Sequence, residues 1–250
     1  MKKVWSIIFA ICLVVFLFCI GTFLYDGAQK NETENDLKDY TIKTAKVTQE
    51  NLKENPINFE KLEKRNKDIF SWIRIENTNI DYPILHPNGK DNSFYLRKNI
   101  DGEYDRQGVI YIEDYNKTDW SDPVTVIYGH NIWTMGTMFY QLHSFEDAEF
   151  FNDNKYIEIY SKGRALKYEI YSAFEYDNRH IMYSFNFKDK KVFKDFIDYT
   201  LNPNSLNKNV RNNTQVTVDD KIIVLSTCIK GKEESRYLVI GVLREDEKTK

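Results

Sequence analysis

Beyond residue 25 the chain carries one cysteine, Cys228, at the end of the apolar run KIIVLST (221–227) and just before the polar turn IKGKEES. A thiol at a strand end is held by rigid backbone yet open to a substrate, and its thiolate is a strong nucleophile. His130 ends another apolar run, VTVIYGH (124–130). An imidazole at that place can move a proton to or from a leaving group. Arg236 opens the run RYLVIGVLRE (236–245), so a hairpin across the intervening turn brings its guanidinium to the level of the thiol. A fixed cation there can orient a carbonyl and stabilise the charge that develops in acyl transfer. Together the three residues make a thiol acyl-transfer site: Cys228 attacks a carbonyl, His130 protonates the departing amine, and Arg236 supports the tetrahedral intermediate. The backbone N–H of Ile229 is a second oxyanion donor in this scheme. Blander readings stand beside it, a buried apolar cysteine and a strand-flanking surface arginine. His86, His143 and His180 are weaker candidates, His143 because it lies in a helical segment and His180 because it follows Arg179 in a polar turn.

These side chains need a scaffold of strands. Runs rich in Val, Ile, Tyr and Phe occur at 79–86, 108–114, 124–130, 156–161, 165–176, 221–227 and 236–245, separated by Asn, Asp, Gly or Lys clusters. Without regular alternation of strands and helices, they predict a mainly β protein, a closed or nearly closed barrel with helices outside. Closure also removes exposed strand edges. Three segments carry helical spacing: NFEKLEKRNKDIFSWI (58–73) with Phe59, Leu62 and Ile69, MFYQLHSFEDAEFF (138–151), and KKVFKDFIDYTL (190–201) with Val192, Phe193, Phe196 and Ile197 on one face.

The amino end differs from the rest. Lys2 and Lys3 precede an uncharged apolar run over residues 4–25, and a helix of that length reaches about 33 Å, enough for a bilayer core. The basic flank predicts a cytoplasmic tail over residues 1–3, a transmembrane anchor over 4–25, a polar stalk or linker over 26–55, and an outward-facing catalytic domain over 56–250. A cleaved signal peptide is the rival, with a poor cleavage site in FLYDGAQ. Cys12 and Cys19 then face lipid. The whole chain has 35 Lys+Arg against 38 Asp+Glu, a net charge of -3, which gives no reason to expect nucleic-acid binding. Three cysteines, two of them in the apolar run, exclude a disulfide scaffold.

LSTC (225–228), with Arg236 after it and YGHN (128–131) far before it, resembles the sortases, the membrane-anchored cysteine transpeptidases of Gram-positive cell surfaces. Val224 stands where the family's TLxTC signature opens with Thr. SWIRIENTNIDYPILH, NSFYLRKNIDGEYDRQGVIYIED, YGHNIWTMGTMFYQLHSF and the helix at 190–201, in that order, are most similar to class B. The resemblance implies an eight-stranded barrel with N-terminal helices and a helix before the cysteine strand. It implies cleavage of a C-terminal sorting motif after Thr, a thioester on Cys228, and transfer to an amine of a peptidoglycan precursor or cross-bridge, or to a pilin lysine. Water in place of the amine gives proteolysis. Thr227 is a substrate-contact candidate by the same match, with Tyr128 and Asn131 as weaker ones. No cofactor and no metal are implied. Motifs of NPxTN, LPxTG and PPxTG type stay open, and so do a hydrolytic cysteine protease and a non-enzymatic anchored adhesion or assembly domain.

Overall fold

The computed structural model describes residues 2–41 and 52–250. It divides into two compact units, one ending at Asp39 and one running from Tyr40 to Lys250. The first is a helix, α1 (Lys2–Lys38), whose apolar side chains, among them Trp5, Phe9, Phe16 and Phe23, are exposed. By length and composition it can cross a membrane, a property that a signal sequence near an amino end shares. Part of the 26–55 linker, residues 42–51, lies outside the described residues.

The second unit begins its regular structure with α2 (Phe59–Arg65), capped by the Asn58 side chain, which accepts from Lys61 N–H at 3.0 Å. The helix is shorter than the apolar spacing of 58–73 predicts, and Ile69 belongs to a strand. Asn66 ends the helix in an extended conformation, and its side chain is drawn off to the Ile100 carbonyl (2.6 Å) and the Asp68 N–H (2.9 Å). The chain then enters β1 (Ile69–Arg74). β2 (Asp81–Leu85), β3 (Ile110–Tyr111) and β4 (Val124–Tyr128) follow, then a small ribbon of β5 (Asn131–Ile132) and β6 (Thr137–Met138). The segment 138–151 forms a 3-10 turn at Tyr140–Glu146 and α3 (Ala148–Asp153). β7 (Tyr156–Ser161) and the long β8 (Arg164–Asp177) lead to α4 (Ile181–Ser184) and α5 (Lys190–Leu201). The chain ends with β9 (Lys208–Val210), β10 (Ile222–Ile229) and β11 (Lys232–Lys248).

The sheet runs β11-β10-β4-β3-β2-β1-β7-β8, and β8 pairs with β11, which closes an eight-stranded barrel. β9 adds to the far half of β8, where β7 has ended. One wall of this barrel is buried on both faces. Ile222 and Val224 of β10, Val124 and Val126 of β4, and Leu238, Ile240 and Val242 of β11 pack in one cluster with Phe193, Phe196 and Ile197 of α5. Ile223 and Leu225, the alternate residues of β10, are fully buried as well. The amphipathic face of α5 is what the spacing of 190–201 predicts, and each buried Phe contributes about 2–3 kcal/mol of apolar transfer. Asp189 caps the helix start through Lys191 N–H (2.8 Å), and Tyr171 of β8 meets Thr200 at 2.8 Å. The three strands that end in candidate site residues are therefore the ones clamped between barrel interior and helical layer.

Candidate active site

Register brings the site together. β4 and β10 run parallel, with Ile222 opposite Val124 and Ser226 opposite Tyr128. Two residues further on, His130 and Cys228 lie at the same level of the rim. The pairing continues past the strand end, since Gly129 N–H donates to the Ser226 carbonyl at 3.2 Å and the Thr227 hydroxyl donates to the Gly129 carbonyl at 2.9 Å. β11 runs antiparallel on the other side of β10 and sets Arg236 opposite Cys228. A register shift follows at Ile229, which pairs with Lys232 in the tight hairpin. Thus residues 98 positions apart meet through one parallel pair, and Arg236 joins them through one hairpin.

Gly129 is required by close approach. A Cβ there would stand 2.5 Å from Ile110 Cδ1 and 2.7 Å from the ring of the fully buried Phe139. This contact lets the strand end press against the core and sets the direction in which His130 leaves it.

A cavity of about 290 Å³ opens at this rim, lined by His130, Cys228 and Arg236 together with Thr227, Tyr128, Leu96 and His180. Cys228 is exposed, with its carbonyl accepting from Asn131 Nδ2 at 3.0 Å. His130 is half-buried, and its Nε2 donates to the Leu96 carbonyl at 2.7 Å. Burial pushes the imidazole below its ordinary value; the Leu96 carbonyl opposes this, and the nearby Arg97 charge adds to it. One guanidinium nitrogen of Arg236, Nη1, donates to the carbonyls of Glu233 (2.9 Å) and Ser235 (2.8 Å), which fixes the head group over its own hairpin.

The other predicted residues divide. Thr227 is buried and spends its hydroxyl on Gly129, so it ties the ends of β4 and β10 together. The Tyr128 ring sits between Tyr111 (5.7 Å) and His180 (6.1 Å), and burial with the Glu113 charge keeps its phenol protonated. Asn131 reaches the Cys228 backbone from the ribbon, outside the cavity lining. Ile229 is also outside it. His86 pairs with Asp114 at 2.9 Å, away from the cavity.

Two histidines stand closer to the site than their sequence context suggests. His180 caps α4 and bonds Glu113 at 2.6 Å, on the cavity wall. Burial raises the Glu113 carboxyl above its ordinary value, opposed by His180. His143 places Nε2 3.1 Å from the Cys228 carbonyl. No local spacing signals either contact, because both depend on segments folding back from elsewhere in the chain.

The sequence model of the sortase domain matches residues 73–244, a span that includes His130, Cys228 and Arg236. The chain belongs to the sortase family. A sortase B of Listeria monocytogenes is 32% identical over 93% of this chain and 94% of its own length. A sortase B of Staphylococcus aureus is 28% identical over 98% and 97%. The crystal structure of sortase B from B. anthracis in complex with AAEK1 aligns with a TM-score of 0.73 at 26% identity, covering 89% of this chain and 99% of that one. The class is B, and the protein is a cysteine transpeptidase acting on a sorting motif.

Proposed function

We propose that Cys228, His130 and Arg236 carry the sortase reaction of this chain. The observation behind this assignment is their shared level on three adjacent strand ends around one cavity. Cys228 Sγ attacks the carbonyl carbon of the Thr in a C-terminal sorting motif. The carbonyl electrons move to oxygen, where the Arg236 guanidinium stabilises the developing charge and the Ile229 N–H is the second candidate donor. As the intermediate collapses, the C–N bond breaks and His130 delivers its proton to the departing amine. An acceptor amine then attacks the thioester, His130 takes the amine proton, and Cys228 leaves as thiolate. Burial lowers the proton affinity of His130 below its ordinary value and so favours the neutral ring in the free enzyme. Thr227 acts here through the strand ends it joins. Tyr128 and Asn131 are placed, respectively, to shape the cavity wall and to hold the Cys228 backbone.

The substrates in this reading are surface proteins bearing a C-terminal sorting signal, and the acceptor is an amine of a peptidoglycan precursor or cross-bridge, or a protein lysine. Residues 4–25 anchor the chain in the cell membrane with residues 1–3 cytoplasmic. Residues 26–55 link this span to an extracellular catalytic domain over 56–250. The length and apolar character of α1 support the anchor. Product analysis tests the transfer: peptides of NPxTN, LPxTG and PPxTG type are incubated with a small glycine peptide as acceptor. An amide adduct is expected; cleavage with only hydrolysed product, whatever the amine concentration, supports a protease instead.

A further inference from the structure

The two ring nitrogens of His130 stand in different surroundings. Nε2 lies 2.7 Å from the Leu96 carbonyl, and among the described residues this is the one hydrogen bond of the ring. A carbonyl oxygen only accepts, so Nε2 carries a proton whether the ring is neutral or charged. Nδ1 is therefore the nitrogen that holds the lone pair in the neutral ring, and the one that gains and loses the second proton.

The Leu96 carbonyl is itself firmly held. Leu96 belongs to a 3-10 turn, Phe94–Arg97, whose Tyr95 side chain is buried. The Tyr95 hydroxyl donates to Asp68 Oδ2 at 2.5 Å and accepts from Asn66 Nδ2 at 3.2 Å. Asp68 is buried as well, and the Lys90 ammonium bonds the same carboxylate oxygen. A second segment backs the turn. Val109 N–H donates to the Tyr95 carbonyl at 3.3 Å. A Cβ on Gly108 would stand 2.5 Å from the Leu96 oxygen and 2.9 Å from the Tyr95 oxygen, and its φ of +60° is one that side chains rarely adopt. With Tyr95 anchored and the Gly108 backbone packed against both carbonyls, the Leu96 peptide has little room to turn.

We propose that Asp68, Tyr95 and Gly108 are positioning residues that hold the Leu96 carbonyl on His130 Nε2, so that Nδ1 is the atom that exchanges the proton in both halves of the reaction. This rests on His130 being the proton carrier. In the first half the Nδ1 proton goes to the departing amine as the C–N bond breaks. In the second, Nδ1 takes the proton of the attacking amine while Cys228 leaves as thiolate. Nε2 keeps its proton and its carbonyl throughout. Without this brace the neutral ring can carry its proton on either nitrogen, and the Nδ1–H form has no lone pair at the atom that must accept one. None of the three residues lines the cavity, so they act through His130 and not on the peptide.

The test uses the full chain in detergent, grown with isotope-labelled histidine so that NMR reads the protonation of each ring nitrogen at alkaline pH. His130→Gln identifies the His130 signals, and its transfer rate checks the reading on which the brace rests. Wild-type His130 is expected in the Nε2–H form. Gly108→Ala drives a methyl against the Leu96 oxygen, and Tyr95→Phe removes the hydroxyl while keeping the ring; both should give a mixture of tautomers. With a sorting-motif peptide and a glycine acceptor, kcat should fall about tenfold in Gly108→Ala and about threefold in Tyr95→Phe, with KM within about twofold of wild type. Thermal unfolding is recorded for each, and Tyr95→Phe carries the test if Gly108→Ala does not fold. A dominant Nδ1–H form in the wild type overturns the assignment. Variants that lose stability yet keep the wild-type tautomer and kcat reduce these residues to packing and overturn the brace alone. Full transfer by His130→Gln removes the proton carrier, and the brace falls with it.

Discussion

Two walls of the rim each bring a histidine near Cys228, and the two are built differently. On the β4 wall, His130 is half-buried beside the Leu96 carbonyl and the Arg97 charge, surroundings that on balance expel a proton. On the 3-10 wall, His143 lies between the Glu146 carboxylate and the Cys228 carbonyl, with Asn131 Nδ2 3.1 Å from its Nε2, and stacks on Tyr237. The first wall is set by a parallel strand pair with a buried core on both sides. The second is set by side chains reaching from β5, β9 and β11 to an irregular turn. In the proposed reaction the proton moves through the ring on the rigid wall, whose height is set by strand register.

The largest expected effect breaks the first wall outright. His130→Gln removes the proton donor, and kcat/KM for transfer should fall about 10³-fold or more while Cys228 alkylation persists. A variant retaining a tenth of the wild-type rate contradicts a chemical role for this ring. Arg236→Lys keeps the charge but loses the planar head that bridges Glu233 and Ser235. A loss of about 10²-fold in kcat is expected, measured by steady-state kinetics on the same peptide.

Gly129→Ala changes the identity of no candidate residue and perturbs only their support. Its Cβ collides with Phe139 and Ile110, so His130 must move. The expectation is a kcat lower by about tenfold and a stability loss of about 1–3 kcal/mol in thermal or urea unfolding. Unchanged kinetics would show that the height of His130 is not critical.

The smallest effect sharpens the contrast in proton affinity. Because burial and Arg97 lower the His130 value, imidazolium is lost on raising pH before the ordinary histidine value of about 6.5 is reached. The limb of kcat/KM against pH that reports His130 should therefore have its midpoint below that value, with Arg97→Gln moving it upward by a few tenths of a unit. A downward move has the wrong sign for a cationic neighbour.

The site was partly legible before the fold. His130, Cys228 and Arg236 sit at ends of apolar runs, and strand ends are where a rigid backbone meets solvent. α5 was legible for a similar reason, since Phe193, Phe196 and Ile197 mark one helical face that the barrel wall covers. The parallel register of β4 and β10 was not, because nothing local links strands separated by nearly half the chain. β1 was hidden inside a helical pattern that Asn66 interrupts through contacts with distant backbone. β5, β6 and β9 have two or three residues each, too few for any periodicity. His143 shared a helical segment with its neighbours, and its place against Cys228 arises from a turn pinned by Asn209.

Intact-mass measurement of the full chain with sorting-motif peptides tests the central assignment most directly. The wild-type protein should gain the mass of the acyl fragment ending in Thr, located at Cys228 by fragmentation and released by hydroxylamine, and C228A should gain nothing. An adduct that persists in C228A, or that maps to another residue, contradicts Cys228 as the nucleophile.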